Sequence, residues 1–349
     1  MKRFGRSWFA MLVVLVLVMA LAGCGVKQQA AETKKAEVKW PTKDITVVVP
    51  WNPGGGTDLT VRALTTEMSK TLGVNIAVVN TPGANGSVGT KNVWNAKHDG
   101  YTILGAGLMP FTSYQVMGYM DQGHKDWITW TATFSPNVLA VRAESPYKDA
   151  KSLLAAFKAK PGAITAGTAG VGSGGHIGIE FIRRAGKFEY KHVPYQGGNP
   201  AIIATLGGEV DFTPQLSMEM TDMFRAGKMV ALASLSDKAL EIEGVKPIPS
   251  LGAELPDLKK GLPMGEFFGL TMPKDAPQEA IKKIDEAFKK AMQSETMKKF
   301  AKDKGVVLVG YGPEESLKKL DNLASVVCWT LYDTGTAKVS PEKFKIAKP

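Results

Sequence analysis

The chain has 349 residues, of which 44% are hydrophobic and 22% are charged. These fractions exclude an intrinsically disordered protein, and the length is sufficient for two domains with separate cores. The formal net charge of +10 suits an acidic small molecule or an anionic surface as a partner. No module combines basic and aromatic residues in the manner of nucleic-acid-binding proteins, so no nucleic-acid partner is expected.

The N-terminus has the pattern of a targeting segment. Three positive charges lie within 1–6, and an apolar stretch over 8–20 is too short to cross a bilayer comfortably. The next residues, 21–24, resemble the lipobox of bacterial lipoproteins, in which the cysteine receives the lipid. We therefore expect a signal peptide over 1–23 and lipidation at Cys24. A plain secretory signal or an anchor helix is the alternative.

After a polar tether predicted over 24–40, strands and helices alternate. The segment 109–129 is rich in Met and aromatic residues and fits a helix followed by a loop, and 130–142 has the pattern of one strand. The earlier order of strand, helix, strand, helix, strand predicts a parallel sheet with right-handed crossovers. These five elements are predicted over 45–50, 58–72, 74–80, 87–96 and 101–105.

The same alternation restarts in the second half of the chain. Hydrophobic crossings near 138–141 and 267–272 predict a first domain of 41–140 with 268–349 and a second domain of 141–267. A ligand cleft is expected between them, at the carboxyl ends of the strands. Further helices are predicted over 149–158, 174–185, 199–206, 218–226, 280–292, 295–302 and 314–332, and strands over 164–167, 192–195, 210–213, 230–234, 267–272 and 306–309.

Two glycine-rich stretches each follow a strand and open a helix. The first contains Gly54, Gly55 and Gly56, and the second runs over 168–175. Glycine lets backbone N–H groups approach a ligand closely, and the first turn of a helix presents unpaired N–H donors. Each stretch therefore predicts an anion site, and two facing sites predict a clamp that closes on one anionic group.

Catalytic and cofactor chemistry finds little support in the sequence. The stretch over 170–175 matches the glycine fingerprint of dinucleotide-binding proteins, but no acidic residue follows at a convincing place and the chain looks exported. No Walker P-loop or nucleophile elbow occurs, the four histidines lack metal-ligand spacing, and no two carboxylates are placed for acid–base work. We expect no catalytic residue, no metal and no cofactor.

Ordered motifs extend over most of the chain after the tether, at 53–58, 80–89, 99–103, 172–176, 192–198 and 206–211. As a set they resemble the TctC/Bug family, the extracytoplasmic solute-binding proteins of tripartite tricarboxylate transporters. The resemblance implies an α/β fold of the two-domain periplasmic-binding-protein type, a Venus flytrap with the ligand cleft between the lobes. It also implies a small carboxylate ligand and delivery to membrane permease subunits. Asn85, and Gly174 and Gly175 before His176, depart from the family pattern and leave the ligand's identity open.

The resemblance further implies that the loop after the first strand and the loop before the second-domain helix hold a ligand carboxylate. Trp51 is either a wall of the cleft or a core residue, and Tyr195 either lines the cleft or closes a turn. The candidate ligand-binding residues are Trp51, Gly54, Gly55, Gly56, Thr57, Asp58, Thr168, Gly170, Gly172, Ser173, Gly174, Tyr195 and Asp211.

Four polar candidates have a structural alternative. Asp58 could cap its helix rather than touch the ligand, because a carboxylate repels an anionic ligand. Ser173 and Thr168 could likewise cap or donate to the ligand. Asp211 could fix the opposite loop or contact a polar end of the ligand.

The main hypothesis is a lipid-anchored, extracytoplasmic, monomeric binding protein for a small mono-, di- or tricarboxylate. It acts by closing its cleft and then delivers the ligand to a permease. An exported enzyme that acts on a carboxylate is the first alternative, and it lacks an identifiable nucleophile or metal site. A sensor subunit that presents its ligand to a membrane kinase is the second.

Overall fold

The computed structural model describes residues 39–349, and Trp40–Pro349 forms one compact unit. The signal peptide predicted over 1–23, the lipidation at Cys24 and nearly all of the predicted tether lie outside the described residues. Trp40 is buried in a hydrophobic core. Among the described helices, none combines the length and the apolar character that a membrane crossing needs.

The order of helices and strands follows the predicted order, with most ends within a few residues of the expected positions. The strands are β1 (Ile45–Val49), β2 (Ile76–Asn80), β3 (Thr102–Gly107), β4 (Trp127–Pro136), β5 (Val138–Arg142), β6 (Thr165–Thr168), β7 (Lys191–Pro194), β8 (Met229–Ser234), β9 (Gly265–Pro273) and β10 (Val307–Tyr311). The helices are α1 (Gly56–Leu72), α2 (Ser87–Trp94), α3 (Leu108–Met117), α4 (Ala150–Ala159), α5 (Gly174–Gly186), α6 (Gly198–Gly207), α7 (Ser217–Arg225), α8 (Gln278–Met292), α9 (Glu295–Lys304) and α10 (Pro313–Asp333).

The largest sheet has six strands in the order β10-β4-β9-β3-β1-β2. As predicted, β1 pairs in parallel with both β2 and β3. The other strands run differently, since β9 is antiparallel to β3 and β4, and β10 is antiparallel to β4. The sheet is therefore mixed. In its parallel half, the strand β1 is followed by the loop that leads into α1.

Two smaller sheets lie in the middle of the chain. Strands β5 and β8 pair antiparallel, and β6 and β7 pair in parallel. The strand predicted over 210–213 is reduced to isolated bridges, from Thr213 to Ala140 and from Phe212 to Ala166. These bridges connect the two small sheets to each other.

The single strand predicted over 130–142 is wrong, because the structure divides it into β4 and β5. The division falls at Asn137, which is 1% exposed. Its amide nitrogen donates to the carbonyl oxygens of Gly174 at 3.1 Å and Pro214 at 2.9 Å. A buried side chain that bonds two remote segments therefore marks the point where the chain passes from the large sheet to a small one.

Helix α8 shows how the large sheet is covered. Its buried residues, at the 3–4 residue spacing of one helix face, are Ala280, Ile284, Ala287, Phe288 and Ala291. They join a core with the apolar residues of β1 and α1, such as Val47 and Leu64. The lysines of α8 lie outside this buried face.

Candidate functional site

Helices α1, α5 and α6 all begin at one small cavity. Each follows the carboxyl end of a strand in a parallel pair: α1 follows β1, α5 follows β6 and α6 follows β7. The cavity has a volume of about 60 Å³. It is lined by Trp51, Asn52, Pro53, Gly55, Gly56, Thr57, Ala169, Ser173, Gly174, Gly175, Gly197, Gly198, Asn199, Pro200, Gln215, Leu216, Glu219, Glu266 and Phe268.

A second cavity of about 320 Å³ adjoins the first and shares four lining residues with it. It extends between the loop that precedes α2 and the loop over 169–171. Asn85 lies in this wall, with a positive φ of 56° and a buried side-chain amide that has no hydrogen-bond partner among the described residues. Asn85, one of the residues that depart from the family pattern, therefore lines this second cavity.

Glycine is required at the helix starts for two reasons. A Cβ at Gly56 would lie 2.7 Å from the Cζ atom of Phe268, so only glycine allows the start of α1 to approach β9. Gly170 has a φ of 124°, a conformation that residues with a side chain rarely adopt. The two predicted glycine stretches thus bring backbone N–H groups to a cavity wall, where the helix dipoles favour a negative charge.

The loop before α1 is held by a charged side chain. The Asp58 carboxylate, which is 2% exposed, accepts hydrogen bonds from Gly54 N, Arg62 Nε and Asn80 Nδ2, each at 2.9 Å. Burial acts to raise the pKa of Asp58, but the hydrogen bonds from Arg62 and Gly54 outweigh burial, so the pKa lies below its ordinary value. Asp58 is absent from the lining of both cavities, and its described contacts are those of a loop-fixing residue.

The loop before α5 is held by neutral side chains. His176 Nδ1 accepts a hydrogen bond from Gly172 N at 3.1 Å, and the His176 ring stacks on His192 at 4.2 Å between centroids. His192 Nε2 lies 2.6 Å from the Thr168 hydroxyl. Burial lowers the pKa of His176 to about 3 and that of His192 to about 4, so both imidazoles are neutral at physiological pH.

Ser173 and Asp211 also make structural contacts. The Ser173 hydroxyl accepts from His176 N at 3.4 Å and caps α5, while the residue lines the first cavity. Asp211 accepts from the backbone N of Thr165 at 2.8 Å and from its hydroxyl at 2.7 Å. This pair of bonds ties the bridging segment to β6, on a part of the molecule that lines neither cavity.

The predicted residues divide into three groups by position. The first cavity is lined by Trp51, Gly55, Gly56, Thr57, Ser173 and Gly174, and the second by Trp51, Gly170 and Tyr195. Gly54, Asp58, Thr168, Gly172 and Asp211 line neither of them. The two loops that the sequence selected therefore meet at a shared hollow, although four of their predicted members do not line it.

Two carboxyl groups that line the first cavity, the half-buried Glu219 and the buried Glu266, were absent from the sequence prediction. Glu219 Oε1 accepts from Gly56 N at 3.3 Å, and Glu219 Oε2 accepts from Gln215 Nε2 at 3.1 Å. Glu266 Oε1 accepts from Met109 N at 2.6 Å. Burial raises the pKa of Glu219 to about 7 and that of Glu266 to about 8.

No local signal marks these carboxyl groups in the sequence. Glu219 lies in the first turn of an ordinary amphipathic helix, and Glu266 opens a hydrophobic strand. Gly197 and Gly198, at the start of α6, belong to the motif over 192–198. If each helix that begins with glycines had been assigned to the cleft, α6 would have been predicted as part of the site. Among the described residues, no group of three or more His, Cys, Asp or Glu side chains could hold a metal ion.

Comparison with known proteins identifies the chain's family. The family described as "Tripartite tricarboxylate transporter family receptor" matches residues 60–320. The chain belongs to this family. Its fold and family are those of extracytoplasmic solute-binding receptors, as the motifs indicated.

Relatives of this receptor are similar over nearly their full length. The UPF0065 protein in the tcbD-tcbE intergenic region of Pseudomonas sp. (strain P51) is 29% identical over 84% of this chain and 87% of its own. A solved structure described as a periplasmic transporter is 27% identical, with a TM-score of 0.76, over 86% of this chain and 99% of its own. MatC from Rhodopseudomonas palustris, solved with bound malate, has the same fold at 24% identity and a TM-score of 0.76, over 84% and 100% of the two chains.

Proposed function

We propose that this receptor captures a small carboxylate by closing its cleft and delivers it to the permease subunits of a tripartite tricarboxylate transporter. The observation that carries the proposal is the convergence of three helix N-termini on one cavity in a member of a solute-receptor family. The malate bound to a protein of the same fold supports a carboxylate as the ligand. The helix N-termini are the carboxylate-binding groups, so the predicted ligand-binding residues of the two loops act mainly through their backbone N–H groups.

The proposed closure follows from contacts across the cavity. Asn52 Nδ2 donates to the Gln196 carbonyl oxygen at 2.6 Å, and Gly56 N bonds to Glu219. We assign 41–140 with 268–349 to one lobe and 141–267 to the other, so both contacts join the lobes. A ligand that is bonded from both sides stabilises the shut state, because it has more partners there than in the open state.

Thermal unfolding with a panel of mono-, di- and tricarboxylates, malate included, tests carboxylate binding. One acid at about 100 times its Kd should raise the Tm by roughly 5 °C, because binding to the folded state alone stabilises it. Chloride at equal ionic strength is the control and should have no effect of this kind. If every acid fails to shift the Tm at millimolar concentration, the proposal is wrong.

The anion site at the start of α1 can be tested with Gly56→Ala. The added Cβ meets Phe268, so we expect carboxylate binding to weaken by at least about tenfold as the start of α1 moves. Gly312→Ala is a matched control, because nothing lies within 4 Å of its Cβ position at the start of α10. Circular dichroism checks that both variants are folded. If the two variants bind the carboxylate with equal affinity, the start of α1 is not part of the ligand site.

We further propose that the receptor is a monomer anchored to the membrane by a lipid on Cys24, and that it has no catalytic activity. Cys24→Ser should release the protein from the membrane fraction, whereas Cys328→Ser should not, because Cys328 is a buried thiol. Membrane retention of Cys24→Ser would show that the anchor is something else. Pull-down of permease subunits rather than a kinase distinguishes transport from sensing, and turnover of a carboxylate by purified protein would reveal an enzyme.

A further inference from the structure

The cavity at the helix starts contains acidic groups that a receptor for plain carboxylates does not need. Glu219 and Glu266 both line it, and Glu266 is buried whereas Glu219 is half-buried. Among the described residues that line the cavity there is no lysine, arginine or histidine. Two carboxyl groups therefore face the ligand space without a cation, next to helix ends that attract an anion.

Such an arrangement is unfavourable for a ligand that carries only carboxylates. Its second carboxylate would have to lie beside Glu219 and Glu266 in their neutral forms, because it would repel either group once that group is ionised. A ligand ammonium group removes this conflict, because it neutralises the carboxylates and donates hydrogen bonds to them. The charge pattern of the walls thus matches a ligand with both signs of charge.

Gln215 provides an independent observation. Its side chain is nearly fully buried, at 2% exposure, and lines the same cavity. Its Nε2 atom donates to Glu219, whereas its Oε1 atom is buried and has no hydrogen-bond partner among the described residues. The Oε1 atom lies so close to Gly175 that a Cβ at this position would displace the Gln215 side chain. A buried acceptor without a donor is costly unless a ligand supplies the donor.

We propose that the ligand of this receptor is a zwitterionic aminocarboxylate. Its carboxylate lies at the N–H groups of α1, α5 and α6, and its ammonium group donates to Glu219, Glu266 and the Gln215 Oε1 atom. An ammonium group has three N–H donors, which equals the number of these acceptor side chains. The inference rests on the proposed carboxylate-binding function and names the ligand class of the same cleft.

Matched ligand pairs that differ by one amino group test the inference. Suitable pairs are alanine and propionate, leucine and 4-methylpentanoate, and 2-aminoadipate and adipate, titrated calorimetrically into the purified full chain. In the pair that fits the cavity, the amino acid should bind at least about tenfold more tightly, which is the effect of one charge-assisted hydrogen bond. Equal or tighter binding of the acids without the amino group overturns the inference but leaves the carboxylate-binding function intact.

Variants connect the preference to the acidic groups. Glu219→Gln and Glu266→Gln keep the shape of the side chain and should each reduce the preference for the amino acid by about tenfold. Glu254→Gln, on an exposed residue, is the control and should leave the preference unchanged. A preference that survives both cavity variants overturns the inference, as does an alkylamine without a carboxylate that binds as tightly as the amino acid. If no acid of either kind binds, the proposed function itself fails.

Discussion

The two glycine loops have the same task and are held in place by opposite means. The first depends on an ionised carboxylate, Asp58, with Arg62 at the edge of the solvent. The second depends on two neutral histidines, stacked and largely removed from water. A backbone anion site therefore does not require one particular supporting chemistry; it requires that each loop N–H pointing away from the ligand has its own acceptor.

The largest expected difference between the loops appears in acid. The unfolded chain takes up a proton at His176 near pH 6.5, whereas the folded protein does so only near pH 3. Lowering the pH through this window therefore reduces the free energy of unfolding, and at pH 4 the loss from His176 should be about 3 kcal/mol. The pKa of Asp58 lies below its ordinary value, so acid should weaken the first loop less than the second.

Urea unfolding at pH 7 and pH 4 measures this effect. His176→Asn keeps a neutral acceptor for Gly172 N and should show a smaller loss of stability in acid than the wild type. His98→Asn, whose histidine pairs with Asp275 instead, is the control. If the free energy of unfolding of the wild type and of His176→Asn depends on pH in the same way, His176 does not cause the acid sensitivity of the second loop.

An intermediate effect is expected when the first loop loses its carboxylate. Asp58→Ala removes the acceptor of three hydrogen bonds, one of them to a charged group, and should cost about 2 kcal/mol of unfolding free energy at pH 7. The exposed residue Asp257 provides the control variant Asp257→Ala, which should change stability by less than about 0.5 kcal/mol. A cost at Asp58 as small as the control's would mean that the loop holds its shape without the carboxylate.

The smallest expected effect concerns the helix caps. Helix α5 is capped by the Ser173 hydroxyl, while α1 begins at Gly55 without a side-chain cap. Ser173→Ala should cost about 1 kcal/mol, and Gly55→Ala should change the capping bonds of α1 little. Thermal unfolding of both variants compares the starts of α1 and α5. A larger loss of stability in Gly55→Ala than in Ser173→Ala would show that the cap of α5 is not the more important one.

Much of the architecture could be predicted from the sequence because its signals are local. The buried face of α8 follows from residue spacing, and the start of α5 follows from a serine before two glycines. The division of β4 from β5 could not be predicted, since Asn137 acts by bonding to Gly174 and Pro214, which are distant along the chain. The bridging segment over 210–213 has a strand pattern, but its neighbours allow only single bridges.

The sequence by itself determined where backbone N–H groups could be presented, because glycine and a following helix impose that geometry through adjacent residues. Only the tertiary structure decided what faces them. Gly56 meets Glu219 of α7 across a separation of 163 residues, and Glu266 comes from the strand β9. The polarity of a cavity depends on side chains from segments that are distant in the sequence, so it cannot be predicted from any single stretch of the chain.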